Sequence, residues 1–205
     1  LFPIEGPDFV KYGSGTLTSF HPDAKIFATI EYKYKVIRDF LRERAYLMAG
    51  LYFRIFDEAK DLRQDFYFEG GIKSMVRHLN QNKTVIHPVI HMAGEFNSGK
   101  FKILVEVAMQ YTDAYTETIE MFANTIKTPD GGTHLTGFRM ALNRSLKDYA
   151  TKNDLIKNDK DGFTSDDLKE GLTAVIFIKM PSDDLQFESQ TKAKLNNTEA
   201  QSAAY

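Results

Sequence analysis

Phe101-Lys102-Ile103-Leu104-Val105-Glu106-Val107-Ala108-Met109-Gln110-Tyr111 places a large apolar side chain at every second position: Phe101, Ile103, Val105, Val107, Met109 and Tyr111. Successive side chains on a strand point to opposite faces, so this period of two predicts a β-strand with one face in the core. Asn97-Ser98-Gly99 supplies a turn just before it, which predicts a hairpin with the preceding strand. Further on, Leu135, Phe138, Leu142, Leu146 and Tyr149 recur at helical spacing behind Gly131-Gly132-Thr133, with Thr133 as the expected N-cap. Residues 172–180 are apolar on both faces, as a central strand is. Strands and helices interleave, and the predicted class is α+β.

The flanking segments fit that class. Thr16-Leu17-Thr18-Ser19-Phe20 alternates and stops at His21-Pro22-Asp23, predicting one strand. Val36, Ile37, Phe40, Leu41, Leu47 and Met48 predict an amphipathic helix that ends at Gly50. Residues 51–56 and 66–68 read as short strands, and Gly70-Gly71 opens a helix carrying Ile72, Met75, Val76 and Leu79. Residues 115–126 read as extended, Thr164-Ser165-Asp166-Asp167 as a capped helical turn ended by Gly171, and residues 198–205 as the start of a helix. Between Pro181 and that helix, residues 182–197 have no period.

The 205 residues carry 26 Lys+Arg against 28 Asp+Glu and no Cys. A net charge of -2 argues against coating nucleic acid by bulk charge, while leaving room for a local basic stripe. Without Cys there is no disulfide framework, thiolate metal site or cysteine nucleophile. No run reaches the roughly 18 apolar residues of a membrane span. The Gly/Pro-punctuated start at Leu1, without Met, reads as a piece of a longer protein.

Three motifs invite a function that their context denies. Gly94-Glu95-Phe96-Asn97-Ser98-Gly99-Lys100 has the phosphate-loop spacing, but Phe101 stands where Ser or Thr must hold magnesium, and a strand follows where a helix is needed. Asn158-Asp159-Lys160-Asp161-Gly162 suggests a calcium loop, yet Lys157 and Leu168 fall at its first and twelfth positions. His87 and His91 are four apart, but Pro88 disfavours the helix that would align them.

Two segments carry more information: Gly131-Gly132-Thr133-His134-Leu135-Thr136-Gly137-Phe138-Arg139, and Phe187-Glu188-Ser189-Gln190-Thr191-Lys192-Ala193-Lys194-Leu195. Extended backbone would put Gln190 and Lys192 on one side, an ammonium and an amide aimed at one anion. With Phe68-Glu69-Gly70-Gly71-Ile72-Lys73, Val105-Glu106-Val107-Ala108 and Glu170-Gly171-Leu172-Thr173-Ala174-Val175, they closely resemble the transducer domain of bacterial type II DNA topoisomerases, in the ATPase subunit of gyrase or of topoisomerase IV. The likeness runs from about Gly15 onward, with Ser189 standing where many members have Gly.

That resemblance implies a two-layer α/β sandwich with a left-handed βαβ crossover. It implies that residues 1–21 end a GHKL ATP-binding domain and residues 22–205 form the transducer with its QTK loop. Gln190 and Lys192 would contact the ATP γ-phosphate. Arg139, with Lys147 two turns along the same flank, would face the cavity that passes DNA; Lys73 and Lys83 have weaker claims. ATP and Mg2+ would serve the intact protein, with none expected in the fragment. The implied partners are DNA, the chain's own ATP-binding domain, a second copy of the subunit and the DNA-cleaving A subunit, in a cytoplasm or an organelle of bacterial descent, with no membrane. The other reading is a stand-alone nucleic-acid-binding module of similar fold, in which the QTK loop is incidental.

Overall fold

The computed structural model describes residues 18–156 and 162–205. It forms two compact units, Leu1–Ile37 and Arg38–Tyr205. In the first, the Asp23 carbonyl accepts the Ile26 and Phe27 N–H groups in a turn, and Phe20 meets Tyr32 edge-on at 6.3 Å. The strand expected over 16–20 is not formed at residues 18–20, which are exposed. A strand needs a neighbour to satisfy its backbone groups, and among the described residues these have none.

Helix α1 (Tyr34–Leu47) buries only its last turn, Ala45, Tyr46 and Leu47, and leaves Val36 and Phe40 exposed. In the second unit β1 (Phe53–Asp57) and β2 (Leu62–Phe66) pair as a separate hairpin. Helix α2 (Ile72–Leu79) follows Gly71, whose φ of 53° suits glycine. The main sheet holds β3 (Ile90–Asn97), β4 (Lys102–Tyr111), β5 (Thr118–Ala123), β6 (Ile126–Lys127) and β7 (Leu172–Lys179), in the order β3-β4-β7-β5-β6. The β3–β4 hairpin turns at Ser98 to Phe101, as Asn97-Ser98-Gly99 predicts. β7 runs antiparallel to β4 and parallel to β5, so β5, α3 (Thr133–Lys152) and β7 make a βαβ crossover.

Burial follows the parity of β7. Leu172, Ala174 and Ile176 meet Val107, Met109, Met121 and Phe138, beneath α3. Val175 and Phe177 face the other way, onto Ile72, Met75 and Val76 of α2 with Tyr46 and Leu47. Helices thus pack on both faces of the central strand, which is why its sequence shows no alternation. Ile178 joins Ile103, Leu195 and Ala200, seating α4 (Thr198–Ala204) beside α3. The α+β class holds, built of helices packed on a mixed sheet, with helices on both faces of the central strand where two layers were expected.

Candidate functional site

The QTK segment is a hairpin tip. Phe187 and Leu195 bridge antiparallel, Glu188 N–H donates to the Lys194 carbonyl at 3.0 Å, and Asn196 N–H donates to Gln186 at 2.8 Å. At the tip Lys192 N–H donates to the Ser189 carbonyl at 3.0 Å, and the Ser189 and Thr191 hydroxyls lie 2.7 Å apart. Lys192 has φ of 58°, in the left-handed region. The tip is therefore a turn, and the extended backbone expected to align Gln190 with Lys192 is not what forms. Gln190, Thr191 and Lys192 are all exposed. Lys194 pairs with Glu188 at 3.2 Å, whereas Lys192 Nζ sits 6.0 Å from the Phe187 ring with no carboxylate in ion-pair range among the described residues. Of the two lysines, Lys192 is the one ready for an external anion.

The returning limb of this hairpin is joined to the start of α3. Asp130 N–H donates to Ala193, Leu195 N–H to Gly131 and Thr133 N–H to Leu195, at 3.0, 3.1 and 3.0 Å. The Leu195 carbonyl thereby satisfies one of the N–H groups a helix start leaves open. Gly132, not Thr133, occupies the N-cap, and the Thr133 hydroxyl is enclosed without a hydrogen-bond partner among the described residues. Leu195 is fully buried, contributing roughly 1.5–3 kcal/mol against about 1 kcal/mol for each hydrogen bond. The buried side chain and the three hydrogen bonds together thus anchor the limb in comparable measure. Two glycines allow the approach: a Cβ on Gly132 would come 2.2 Å from the Leu195 carbonyl oxygen, and one on Gly137 would come 2.2 Å from that of Gln201.

His134, on the first turn of α3, is completely buried, with Nε2 3.1 Å from the Thr128 hydroxyl. With that hydroxyl donating to the Met121 carbonyl at 3.3 Å, the tautomer that fits has its proton on Nε2, and Nδ1 is enclosed without a hydrogen-bond partner among the described residues, as suits a neutral ring. Burial pushes its pKa down to about 4.

Arg139 is already engaged. Its Nη2 lies 2.7 Å from Glu117 Oε2, just ahead of β5. Asn143 and Lys147 follow along α3; the Asn143 amide bonds the Ser165 hydroxyl, and Lys147 is exposed. A cleft of about 490 Å³ at the hairpin base is lined by Asp130, Thr133, Thr136, Arg139, Lys194 and Asn196. Arg139 thus flanks the base of the hairpin whose tip carries Gln190 and Lys192. Lys83 contributes to neither: its Nζ lies 3.3 Å from both the Thr118 and Thr173 hydroxyls, beside a buried Asn80–Gln110 pair. Lys73 is half-buried on α2.

The three discounted motifs resolve differently. Gly94 to Asn97 lie in β3, and Ser98 to Phe101 form the hairpin turn. His87 Nε2 accepts the Tyr111 N–H at 3.0 Å, while His91 meets Glu106 at 2.9 Å, so the two rings serve different partners. Residues 158–161 of the supposed calcium loop lie outside the described residues. No cluster able to hold a metal ion, and no helix long and apolar enough to cross a membrane, occurs among the described residues.

Sequence reasoning assigned no role to Glu117, Leu195 or Gly137, although the last two lie within the segments that carry the resemblance. Leu195 is a large aliphatic residue among polar neighbours, and Gly137 interrupts a helical pattern, so both left a trace. Glu117 left none, because its partner is 22 residues away.

A family model described as DNA gyrase B matches residues 71–205. The B subunit of DNA topoisomerase 4 from Bacillus subtilis is 42% identical over 190 residues, covering 93% of this chain and 28% of that protein. The B subunit of DNA gyrase from Thermotoga maritima is 42% identical over 195 residues, covering 92% of this chain and 30% of that protein. The chain thus spans less than a third of these curated relatives. Among solved structures, the 43K ATPase domain of Thermus thermophilus gyrase B, in complex with an aminocoumarin, superposes with a TM-score of 0.77 at 37% identity, covering 89% of this chain and 48% of that one. With the family model covering well over half of it, the chain belongs to the DNA gyrase B family of type II topoisomerase subunits.

Proposed function

We propose that this chain is the transducer of an ATP-dependent type II DNA topoisomerase, with residues 1–21 ending its ATP-binding domain and residues 22–205 carrying the signal. Gln190 and Lys192 sense the γ-phosphate of ATP, whose remaining parts and Mg2+ are held by the ATP-binding domain. Arg139 and Lys147 face the transported DNA through its phosphates, contacts that carry no sequence information. The observation that supports this reading is the set of backbone hydrogen bonds joining residues 193–195 to 130–133: a displacement of the phosphate-sensing tip is delivered to the helix that bears Arg139. The intact protein then works in the cytoplasm with a second copy of itself and the DNA-cleaving A subunit, in an isomerase reaction driven by ATP hydrolysis. A stand-alone nucleic-acid module is disfavoured, because Phe101 and Tyr111 pack on the core and offer no stacking platform.

The test is Lys192→Ala in the full-length subunit. Losing a charge-assisted contact at the developing γ-phosphate charge is expected to slow ATP hydrolysis by about a hundredfold or more. Gln190→Ala, which removes neutral donors, is expected to cost about tenfold. Wild-type turnover in the Lys192 variant overturns the assignment.

A further inference from the structure

Arg139 and Glu117 are held by a single contact. Nη2 of Arg139 reaches Oε2 of Glu117 at 2.7 Å, while Nε of the same guanidinium and Oε1 of the same carboxylate are enclosed without hydrogen-bond partners among the described residues. A bidentate fork would engage both oxygens and would be the stronger arrangement. The pair is also within reach of solvent, with the Arg139 side chain 41% exposed and Glu117 23%. Both line a cleft of about 160 Å³ whose other polar walls are Asn143, Ser165 and Lys169. Lys169 is itself matched, at 2.7 Å, by Asp166. Each cation of the cleft therefore carries its own carboxylate, and an arriving phosphate meets a neutral wall.

We infer that Glu117 is a positioning residue that holds Arg139 in reserve, so that a DNA phosphate binds by displacing the Glu117 carboxylate from the guanidinium. The inference rests on the proposed DNA-facing role of Arg139. A one-contact, half-exposed ion pair is weak enough for a phosphate to replace, as exposed pairs contribute well under the strength of a buried fork. The displaced carboxylate repels the incoming phosphate, and that repulsion lowers DNA affinity until many contacts form together. Glu117 thus sets how strongly this site answers DNA.

The experiment is DNA binding by the full-length subunit with its partner subunit, followed by fluorescence anisotropy of a labelled duplex across a salt series, with melting temperatures as the folding control. Glu117→Gln keeps shape and an acceptor oxygen but removes the charge. It is expected to raise DNA affinity about three- to tenfold at low salt, and to steepen the slope of log affinity against log salt by about one, the signature of one more effective phosphate contact. Glu117→Ala carries the same expectation should the Gln variant not fold. Arg139→Gln is expected to weaken binding and flatten the slope, and the Glu117→Gln gain is expected to vanish when both changes are combined. If Arg139→Gln weakens binding while Glu117→Gln leaves it unchanged or weakens it too, the reserve role is overturned and the DNA-facing role of Arg139 stands. If Arg139→Gln changes neither affinity nor slope, the DNA-facing role falls and this inference with it.

Discussion

At His134 a neutral ring sits where no solvent reaches it, and its proton equilibrium becomes a stability term. An unfolded chain titrates histidine near 6.5, whereas burial holds the folded pKa at about 4. As pH falls, the unfolded state takes up the proton first, so the stability contributed by the neutral ring is complete above about pH 6.5 and declines until about pH 4. Within that window the slope is up to about 1.4 kcal/mol per pH unit. In His134→Gln, which keeps an N–H donor for Thr128 but never ionises, this part of the pH dependence is expected to disappear. Urea unfolding of both proteins at pH 7.5, 6 and 5 measures the difference, and parallel losses in the two proteins would show that the ring is not held neutral. Residue-level chemistry of this kind was half legible. Gln190, Lys192 and Arg139 stood out because their types and spacing matched a recognisable pattern, while Glu117 and the burial of His134 depend on what the fold brings against them.

At the scale of elements, α3 is held at Gly132 by the returning QTK limb and at Gly137 by α4. Gly137 lies inside a helix, where replacement by alanine normally gains about 1 kcal/mol of propensity. Here the added methyl would lie 2.2 Å from the Gln201 carbonyl oxygen and 3.1 Å from Ala204 Cβ, so α4 must move. The contact is with backbone, not with a side chain free to rotate, and the overpacking cost outweighs the propensity gain. Gly137→Ala is expected to destabilise by about 2 kcal/mol, a fall of roughly 4–8 °C in melting temperature for a chain of this size. Gly94→Ala on β3, where an added Cβ meets nothing within 4 Å, is expected to stay within about 0.5 kcal/mol of wild type. Equal melting temperatures for the two variants would contradict the close approach at Gly137. The helix and β4 were readable because each has a complete period, and β7 because it lacks one. The hairpin at 187–195 was not, since its ladder joins only a few residues and its tip is a turn closed by local hydrogen bonds.

For the whole molecule, the class followed from three segments, but the strand order did not. β7 inserts between β4 and β5, pairing across some 60 residues of intervening sequence, and no local period records that choice. The same long-range assembly determines what this chain does when tested alone. The QTK tip presents an exposed Gln190 and an exposed Lys192. Hydrogen bonds to a charged group contribute roughly 1.5–3 kcal/mol each. Immobilising a nucleotide costs an estimated 4–15 kcal/mol, so two such contacts to one phosphate at best balance the lower end of that cost. The 205-residue chain by itself is therefore expected to bind ATP more weakly than about 1 mM, which corresponds to only about 4 kcal/mol of net affinity. It is also expected to show no ATP hydrolysis. Isothermal calorimetry with ATP and Mg2+ measures this directly, and Lys192→Ala should leave the isolated chain's heat unchanged, in contrast to the slowed hydrolysis expected of that variant in the full-length protein. A micromolar Kd in the isolated chain would mean that a second surface within these residues holds the nucleotide, and the tip would then be a part of that site instead of a sensor reaching towards another domain.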